Sequence, residues 1–423
     1  MEGRHKAALE LGLLFLLVTV GLALRHPPIL LLAVPVAVHL TFGLALAYEK
    51  RHPRLSATRV LSGQRLHEGD EVEVTVEVEN QGVDLEVVEV REPLPPRWEL
   101  KAGRLASVKP LPRGGRMVLS YRARVSRGLY PLSHVEVTVR DLLGYTLWRG
   151  ELPCAEPLAV LPRYERLSGL SISPRRTLVA QGTVRARRAG AGLEFFGTRE
   201  YLPGDDVRRI NWKAYARWDR LVITEFEEER ATEVMVVLDV RASAYPPKHG
   251  KELLDHAARA AASLCQHFLG EGHRVGLLLY GRYLDFILPG FGKRHGERLL
   301  RMLARAELGH TEVFSELSQL PTRFFPPGSQ IALVSPLVPG DQGFIGRLVA
   351  RGYSLFLVIP DPLSLERAEL PHSKETELAA RILELERWEM LRTLCSAGVR
   401  FLLWDTSFPL AVQVRRLRRG RWL

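Results

Sequence analysis

The sequence predicts a chain of three parts: a transmembrane helical hairpin, an all-β sandwich and a doubly wound α/β domain, in that order. Three observations predict it. Two long apolar runs lie within the first fifty residues, the hydrophobic residues then recur with a period of two, and from residue 233 strand-like apolar runs alternate with amphipathic helical stretches. At 423 residues the chain is also long for a single domain.

The predicted hairpin occupies residues 1–50, with spans at about 7–24 and 29–48. The first run contains one acidic residue, Glu10, and each run approaches the roughly 20 apolar residues that a helix needs to cross a bilayer core of about 30 Å. Two adjacent prolines favour a tight turn between the runs. Because prolines and a second span follow the first run, rather than the small residues of a cleavage site, we interpret it as an anchor and not as a signal peptide.

Basic residues flank the hairpin unevenly. One, Arg25, lies in the turn, whereas six lie outside the two spans: Arg4, Lys6, Lys50, Arg51, Arg54 and Arg59. Because positively charged residues favour the cytoplasmic side of a membrane, this asymmetry predicts a multi-pass protein of the inner membrane whose soluble domains face the cytoplasm.

Residues 55–162 are predicted to form an all-β sandwich of immunoglobulin-like character. Glu71 to Asn80 alternates strictly between apolar and polar residues, which is typical of a strand with one buried face. Further short strand-like runs follow, separated by turn residues. No pattern in this part suggests catalysis, so we interpret it as a spacer or docking module.

Residues 233–423 are predicted to form the doubly wound α/β domain, with a mostly parallel sheet. The run from Tyr283 to Leu288 follows its predecessor too closely for a crossover helix and is predicted to pair antiparallel at an edge. In this architecture sites lie at the carboxyl ends of strands, so a site is expected near Asp239, Ser335 or Asp405.

The composition narrows the classes of function. The net charge is +11, but most arginines are scattered and no RNA-binding signature or zinc-finger spacing is present, so no nucleic-acid partner is expected. The excess charge fits either an arginine-rich composition in general or attraction to an anionic membrane face. Three widely spaced cysteines indicate a reducing compartment. Motifs for phosphate binding or a nucleophile elbow are missing, so no small-molecule substrate is expected.

The run Gly192–Arg217, GLEFFGTREYLPGDDVRRINWKAYAR, resembles the signature of the bacterial and archaeal family known as domain of unknown function 58. It lies in the segment 163–232, interpreted as linker and family signature. The signature residues singled out here are Arg199, Glu200, Tyr201, Gly204, Asp205, Arg208, Trp212 and Arg217. The resemblance implies a von Willebrand A-like domain after the signature, a preceding hairpin and β-domain, and a partner of the MoxR-type AAA+ ATPases. It implies no established enzymatic activity.

The signature also has a physical interpretation. Its Pro-Gly-Asp-Asp turn is expected to present a carboxylate as the N-cap of a helix from about Val207 to Arg217. The dense mixture of charges around it is either an internal ion-pair network or a surface for a partner. The adjacent carboxylates Asp205 and Asp206 suggest a cap and turn rather than acid–base chemistry.

A von Willebrand A domain would bind a divalent cation through D-x-S-x-S, a threonine and a later aspartate. Here Asp239 and Ser243 remain, Arg241 replaces the middle serine, Thr311 matches the threonine, and Pro336 stands where the aspartate belongs. A guanidinium beside the ion and one carboxylate fewer disfavour Mg²⁺. We therefore expect no cofactor, with Arg241 pairing with Asp239 in place of the ion; weakened Mg²⁺ binding is the alternative.

Together these features predict a non-enzymatic, membrane-anchored adaptor whose degenerate metal site binds a protein, with an AAA+ ATPase as the implied partner in assembly or maturation of other proteins. The alternative is a structural scaffold at the cell envelope whose β-domain binds an envelope partner, which requires the opposite membrane orientation. A hydrolase using the signature carboxylates would lack a nucleophile–base pair.

Overall fold

The structure is a computed structural model, and the chain divides into two compact units, residues 1–160 and 161–423. The residues that it describes are 2–49, 52–141, 147–170, 178–231, 233–281, 284–309, 325–326, 329–366 and 373–419.

The N-terminal apolar runs form two helices, α1 (Glu2–Ala23) and α2 (Pro27–Glu49). An 18-residue stretch of α1 and a 19-residue stretch of α2 are long and apolar enough to cross a membrane, which confirms the two predicted apolar helices. Many of their large apolar side chains are exposed. Glu10 and His39 face each other across the hairpin, with 3.7 Å between Oε1 and Nε2.

The β-rich region that the alternating pattern predicts is also present. Its strands are β1 (Leu55–Leu61), β2 (Leu66–His67), β3 (Glu71–Asn80), β4 (Leu85–Arg91), β5 (Glu99–Gly103), β6 (Ala106–Leu111), β7 (Arg116–Arg124), β8 (Gly128–Tyr130), β9 (His134–Arg140), β10 (Leu147–Pro153) and β11 (Leu158–Leu161).

Two four-stranded antiparallel sheets, in the orders β1-β3-β7-β5 and β10-β9-β4-β6, share one hydrophobic core. The alternation in β3 explains how: Val72, Val74, Val76 and Val78 point inward and are fully buried, while the intervening residues point outward. A small third sheet, β2-β11-β8, completes this part.

A long antiparallel ribbon pairs β12 (Leu178–Glu200) with β13 (Val222–Ala231) through several register shifts. The signature segment between these strands forms a 3₁₀ turn, Val207–Arg209, and a short helix, α3 (Trp212–Trp218). The predicted single helix from Val207 to Arg217 is therefore wrong. Ile210 between the two is extended and bridges to Ile223 of β13, which interrupts the helical hydrogen bonds.

Alternating strands and helices then form the α/β domain. They are β14 (Glu233–Asp239), α4 (Gly250–Gly270), β15 (Arg274–Tyr280), β16 (Leu284–Gly290), α5 (Lys293–Ala304), β17 (Gln330–Val334), α6 (Asp341–Ala350), β18 (Ser354–Pro360), α7 (Pro362–Glu366), α8 (Lys374–Ser396), β19 (Arg400–Trp404) and α9 (Leu410–Arg419).

The six-stranded sheet has the order β16-β15-β14-β17-β18-β19, and its neighbours are parallel except for β16, which pairs antiparallel with β15 at the edge, as predicted. One face, including Val236 of β14, shares a core with α4, α5 and α9. The other face, including Val237, shares a core with α6 and α8. Helices thus cover both faces, and this explains why β14 is apolar throughout rather than alternating.

The segment before the ribbon, interpreted as linker from residue 163, packs on the α/β domain. Leu167 and Leu170 are buried in the core of its first face. The carboxylate of Glu165 accepts hydrogen bonds from the backbone N–H of Leu410 (3.2 Å) and Ala411 (2.8 Å), at the start of α9. An acidic group is favourable at a helix N-terminus, so this stretch is held in place rather than free.

Candidate functional site at the carboxyl edge of the sheet

The candidate site lies where the strand order reverses, between the central strand β14 and its neighbour β17. At such a switch point the connections leave in opposite directions and open a crevice at the carboxyl edge. Asp239 is the last residue of β14 and is fully buried. A carboxylate in this position needs hydrogen-bond donors and a compensating charge.

Arg241 supplies both. Its Nε donates to Oδ1 of Asp239 (3.0 Å) and its Nη2 donates to Oδ2 (2.7 Å), in the bidentate geometry that suits a guanidinium and a carboxylate. The backbone N–H of Arg241 also donates to Oδ1 of Asp239 (3.0 Å). The side chain of Arg241 is itself buried, with 2% of its surface exposed.

A second carboxylate and a hydroxyl complete the cluster, and both belong to the segment that follows β17. Asp341, at the start of α6, accepts from Nη1 of Arg241 (3.2 Å) and from Nη2 (2.8 Å). Ser335, just after β17, donates to Oδ2 of Asp239 (2.6 Å) and accepts from the N–H of Leu337 (3.0 Å). The guanidinium therefore joins the ends of two neighbouring strands.

Close backbone approaches fix the loop that carries Arg241. Gly309 accepts from the N–H of Ala242 (2.9 Å), and its own N–H donates to the carbonyl of Val240 (2.9 Å). At Gly281, where φ is +149°, a Cβ would lie 2.5 Å from the backbone nitrogen of Arg241. Only glycine allows this approach, so the chain after β15 helps to set the position of the guanidinium.

The electrostatics of the cluster follow from burial and charge together. Burial alone would lower the pKa of Arg241, but the hydrogen bonds and charges of Asp239 and Asp341 outweigh it and raise that pKa above its ordinary value. The side chain is therefore a permanent cation. One guanidinium between two carboxylates leaves the cluster with a formal charge of about −1 if both acids are ionised.

A divalent cation does not fit this arrangement. Mg²⁺ would need oxygen ligands on all sides, but the space between the carboxylates of Asp239 and Asp341 is taken by the guanidinium of Arg241. Within the part of the chain that the structure describes, no group of three or more His, Cys, Asp or Glu side chains could hold a metal ion.

Of the other residues that the sequence singled out, Ser243 and Asp405 lie outside this cluster. Ser243, in the 3₁₀ turn Ala242–Ala244, is exposed and lines a neighbouring groove. Asp405, at the end of β19, accepts from the N–H of Ser407 (3.0 Å) and shapes the turn before α9. Thr311 lies outside the described residues.

Asp341 is the residue that sequence reasoning missed, because it follows its strand by seven residues rather than directly. A local signal was nevertheless present. The turns Leu202–Asp205 and Val338–Asp341 share the order Pro-Gly-Asp, and in each the aspartate accepts from the N–H three residues earlier (2.8 and 3.0 Å) and pairs with an arginine. The two turns are therefore built alike.

The signature residues form a network of their own. Arg199 holds both oxygens of Asp205 (2.7 and 2.8 Å) and donates from Nε to Glu225 of β13 (2.8 Å). Oε1 of Glu200 lies 3.6 Å from Nη1 of Arg220. These contacts support the ion-pair interpretation of the mixed charges for this part of the segment.

The remaining signature residues serve the turn or the surface. The N–H of Tyr201 donates to the carbonyl of Leu221 (2.9 Å), and Gly204 adopts a φ of +106°. Arg208, Trp212 and Arg217 are exposed, and α3 has no buried residue. The predicted cap is present, because Asp206 accepts from the N–H of Arg208 (3.0 Å).

Comparison with known proteins gives a family match that overlaps the signature. Residues 197–323 match the family described as protein of unknown function DUF58. The chain is 25% identical over 282 residues to the uncharacterized protein YeaD of Bacillus subtilis, covering 66% of this chain and 68% of that protein. It is 29% identical over 160 residues to the uncharacterized protein Rv1480 of Mycobacterium tuberculosis, covering 38% of this chain and 49% of that protein.

Among solved structures, the CARDB domain of the PF1109 protein from Pyrococcus furiosus, described in complex with di-metal ions, is similar to a portion of the chain. It is 16% identical, covers 26% of this chain and 89% of that domain, and has a TM-score of 0.19. A TM-score this low supports no inference about function.

Proposed function

We propose that the protein is a membrane-anchored, non-enzymatic adaptor whose von Willebrand A-like domain binds a protein partner at the carboxyl edge of its sheet. The central strand β14 ends in the aspartate of the degenerate D-x-S-x-S motif, at the switch point of a six-stranded sheet. This arrangement supports the proposal, since ligands of such folds bind at that edge.

The observation that carries the proposal is the buried guanidinium of Arg241 between Asp239 and Asp341. In a metal-dependent site the cation organises the loops and completes its coordination with an acidic group of the partner. Here a covalently attached cation organises the same kind of loops. The edge is therefore organised for binding without a divalent ion. Because the cluster has more carboxylates than cations, its net negative charge does not attract an acidic partner.

A groove of 680 Å³ beside the cluster indicates the chemistry of the partner. Apolar side chains such as Leu337 and Met390 line it together with the carboxylates of Glu366, Glu386 and Glu389. Arg387, which also lines the groove, pairs with Asp361 (2.5 Å between Nη1 and Oδ1). We therefore infer a partner segment that combines apolar and basic side chains. The AAA+ ATPase as the bearer of this segment rests on the family resemblance.

The experiment is affinity capture from native membranes with the tagged full-length chain, in the presence of Mg²⁺ or of EDTA. We expect EDTA-insensitive capture of an AAA+ ATPase by the wild-type chain. Arg241→Ser and Asp239→Ala should reduce capture, because each opens the buried cluster, whereas Ser243→Ala at the exposed rim should reduce it less. Glu366→Lys should also weaken it, since it reverses a charge of the groove.

Arg241→Ser offers a further control, because serine at this position completes the D-x-S-x-S spacing. Mg²⁺ should restore part of the capture by this variant and have no effect on the wild type. Loss of wild-type capture in EDTA would contradict the proposal that the guanidinium of Arg241 takes the place of a divalent ion. Unchanged capture by Asp239→Ala would place the docking surface elsewhere, and recovery of envelope proteins alone would favour the scaffold.

A further inference from the structure

Helix α8 exposes apolar side chains on the side opposite to its own core contacts. The helix begins with a capping box, in which Ser373 and Thr376 bond reciprocally, and it reaches the core of the α/β domain only near its end, through Leu391 and Leu394. Its first four turns contain no buried residue. Four large apolar side chains there are between 50% and 64% exposed: Leu378, Ile382, Leu385 and Trp388.

Three of these four side chains form a continuous apolar stripe. Leu378, Ile382 and Leu385 are separated by four and then three residues, which places them on one face of the helix. This is the spacing at which helices pair, with Ile382 at position a of the heptad and both leucines at position d. Among parallel coiled coils, a β-branched residue at a with leucine at d favours two helices over three or four.

The charged residues beside the stripe favour a parallel over an antiparallel pair of helices. With these heptad positions, Arg381 falls at g and Glu386 falls at e, five residues later. In a parallel pair of identical helices, position g of one helix lies beside position e of the other, so Arg381 meets Glu386 twice. In an antiparallel pair g lies beside g and e beside e, which brings like charges together.

We propose that α8 is a self-association site that pairs, in parallel, with α8 of a second copy of this chain. The stripe is short, so the pairing is weak for molecules in dilute solution. Two copies anchored in one membrane would meet at a much higher effective concentration. Glu386 also lines the groove beside Arg241, whereas Leu378 and Leu385 do not, so crosslinking at the two leucines separates this pairing from binding in the groove.

Disulfide crosslinking of the full-length chain in native membranes tests the register. The background is Cys395→Ser, because Cys395 is an exposed cysteine on α8 whereas Cys154 and Cys265 are buried. Leu378→Cys and Leu385→Cys should each crosslink to the same residue of a second copy under mild oxidation. Glu377→Cys, which is exposed but off the stripe, should crosslink far less.

Charge reversal tests the pairing independently, read as the crosslinked fraction of the Leu385→Cys chain. Arg381→Glu alone and Glu386→Arg alone should each lower that fraction about three- to fivefold, since each replaces two attractive pairs with repulsive ones. Both changes in one chain should restore it, which also shows that the helix is intact.

Two outcomes would overturn the proposal. Crosslinking at only one of the two leucine positions would indicate an antiparallel pair, because only one register position can then meet itself. Equal crosslinking of Glu377→Cys and Leu385→Cys would indicate random collision. Neither result depends on capture of a partner, so the adaptor proposal stands or fails separately.

Discussion

At the scale of single residues, Arg241 is the side chain on which the carboxyl edge depends. Arg241→Ala would leave the carboxylates of Asp239 and Asp341 buried without their counter-charge. Removing one partner of a buried ion pair costs about 3–5 kcal/mol, and we expect a loss of this size in the free energy of unfolding. Urea denaturation of the α/β part, followed by its tryptophan fluorescence, measures it.

Arg301 provides the matched control for that measurement. Its ion pair with Glu297 lies on the surface of α5, with the arginine side chain 62% exposed, so Arg301→Ala should cost only about 0–1 kcal/mol. Arg241→Lys should be destabilising as well, because an ammonium cannot reproduce the fork between two carboxylates. Similar losses for Arg241→Ala and Arg301→Ala would contradict a structural role of the buried cation.

His273 gives the α/β domain a predictable dependence on pH. Burial, and then the nearby His267, lower the pKa of His273 below its ordinary value of about 6.5. The unfolded chain therefore binds a proton at a pH where the folded chain does not, and the free energy of unfolding falls as the pH drops through this window. His273→Gln should flatten the dependence between about pH 7 and 5 in urea titrations.

The sequence singled out three members of the Arg241 cluster, Asp239, Arg241 and Ser335, but not Asp341. Asp239 was predictable from its place after a buried strand, and Arg241 from its place two residues later. Asp341 was not, because the turn that carries its carboxylate back to the strand end has no signal in strand or helix periodicity. Only comparison with the similar turn at Asp205 would have pointed to it.

At the scale of elements, the turn before α3 depends on Asp205 rather than on its neighbour. Asp205 holds Arg199 through both oxygens and accepts from the N–H of Leu202, whereas Asp206 caps a single 3₁₀ turn. Asp205→Asn weakens the ion pair, and we expect severalfold faster cleavage by trypsin after Arg208. Asparagine caps about as well as aspartate, so Asp206→Asn should leave the cleavage rate unchanged. Equal acceleration by both substitutions would assign the effect to the loss of charge in general.

The elements show which patterns carry information in the sequence. The alternation of β3 and the continuous apolar run of β14 predict directly which side chains are buried, because successive side chains of a strand point to opposite faces of the sheet. The helix predicted over Val207–Arg217 is wrong because Ile210 forms a β-bridge with Ile223, a residue outside the predicted helix. Helix propensity depends only on the local sequence, so it cannot predict such a bridge.

At the scale of the whole molecule, the hairpin is the proposed anchor. Helices α1 and α2 expose large apolar side chains such as Phe15 and Leu31, at 71% and 69%, which in water would be unfavourable. Removing residues 1–48 should therefore move the protein from the membrane to the soluble fraction after ultracentrifugation. A chain shortened only after Val414, which loses the basic residues Arg415, Arg416, Arg418 and Arg419 but keeps the core residue Val414, should stay with the membrane. Continued sedimentation of the form without residues 1–48 would mean that another part binds lipid.

The orientation that the proposed anchor gives the chain can be measured with a cysteine that the chain already contains. Cys395 is exposed on α8, whereas Cys154 and Cys265 are buried, so a membrane-impermeant maleimide should react with Cys395 alone. The basic residues that flank the spans predict that this cysteine faces the cytoplasm. Labelling should then require opened cells and should disappear in Cys395→Ser. Labelling in intact cells would place the α/β domain outside the cytoplasmic membrane, where no cytosolic ATPase could reach the Arg241 edge, and would favour the envelope scaffold.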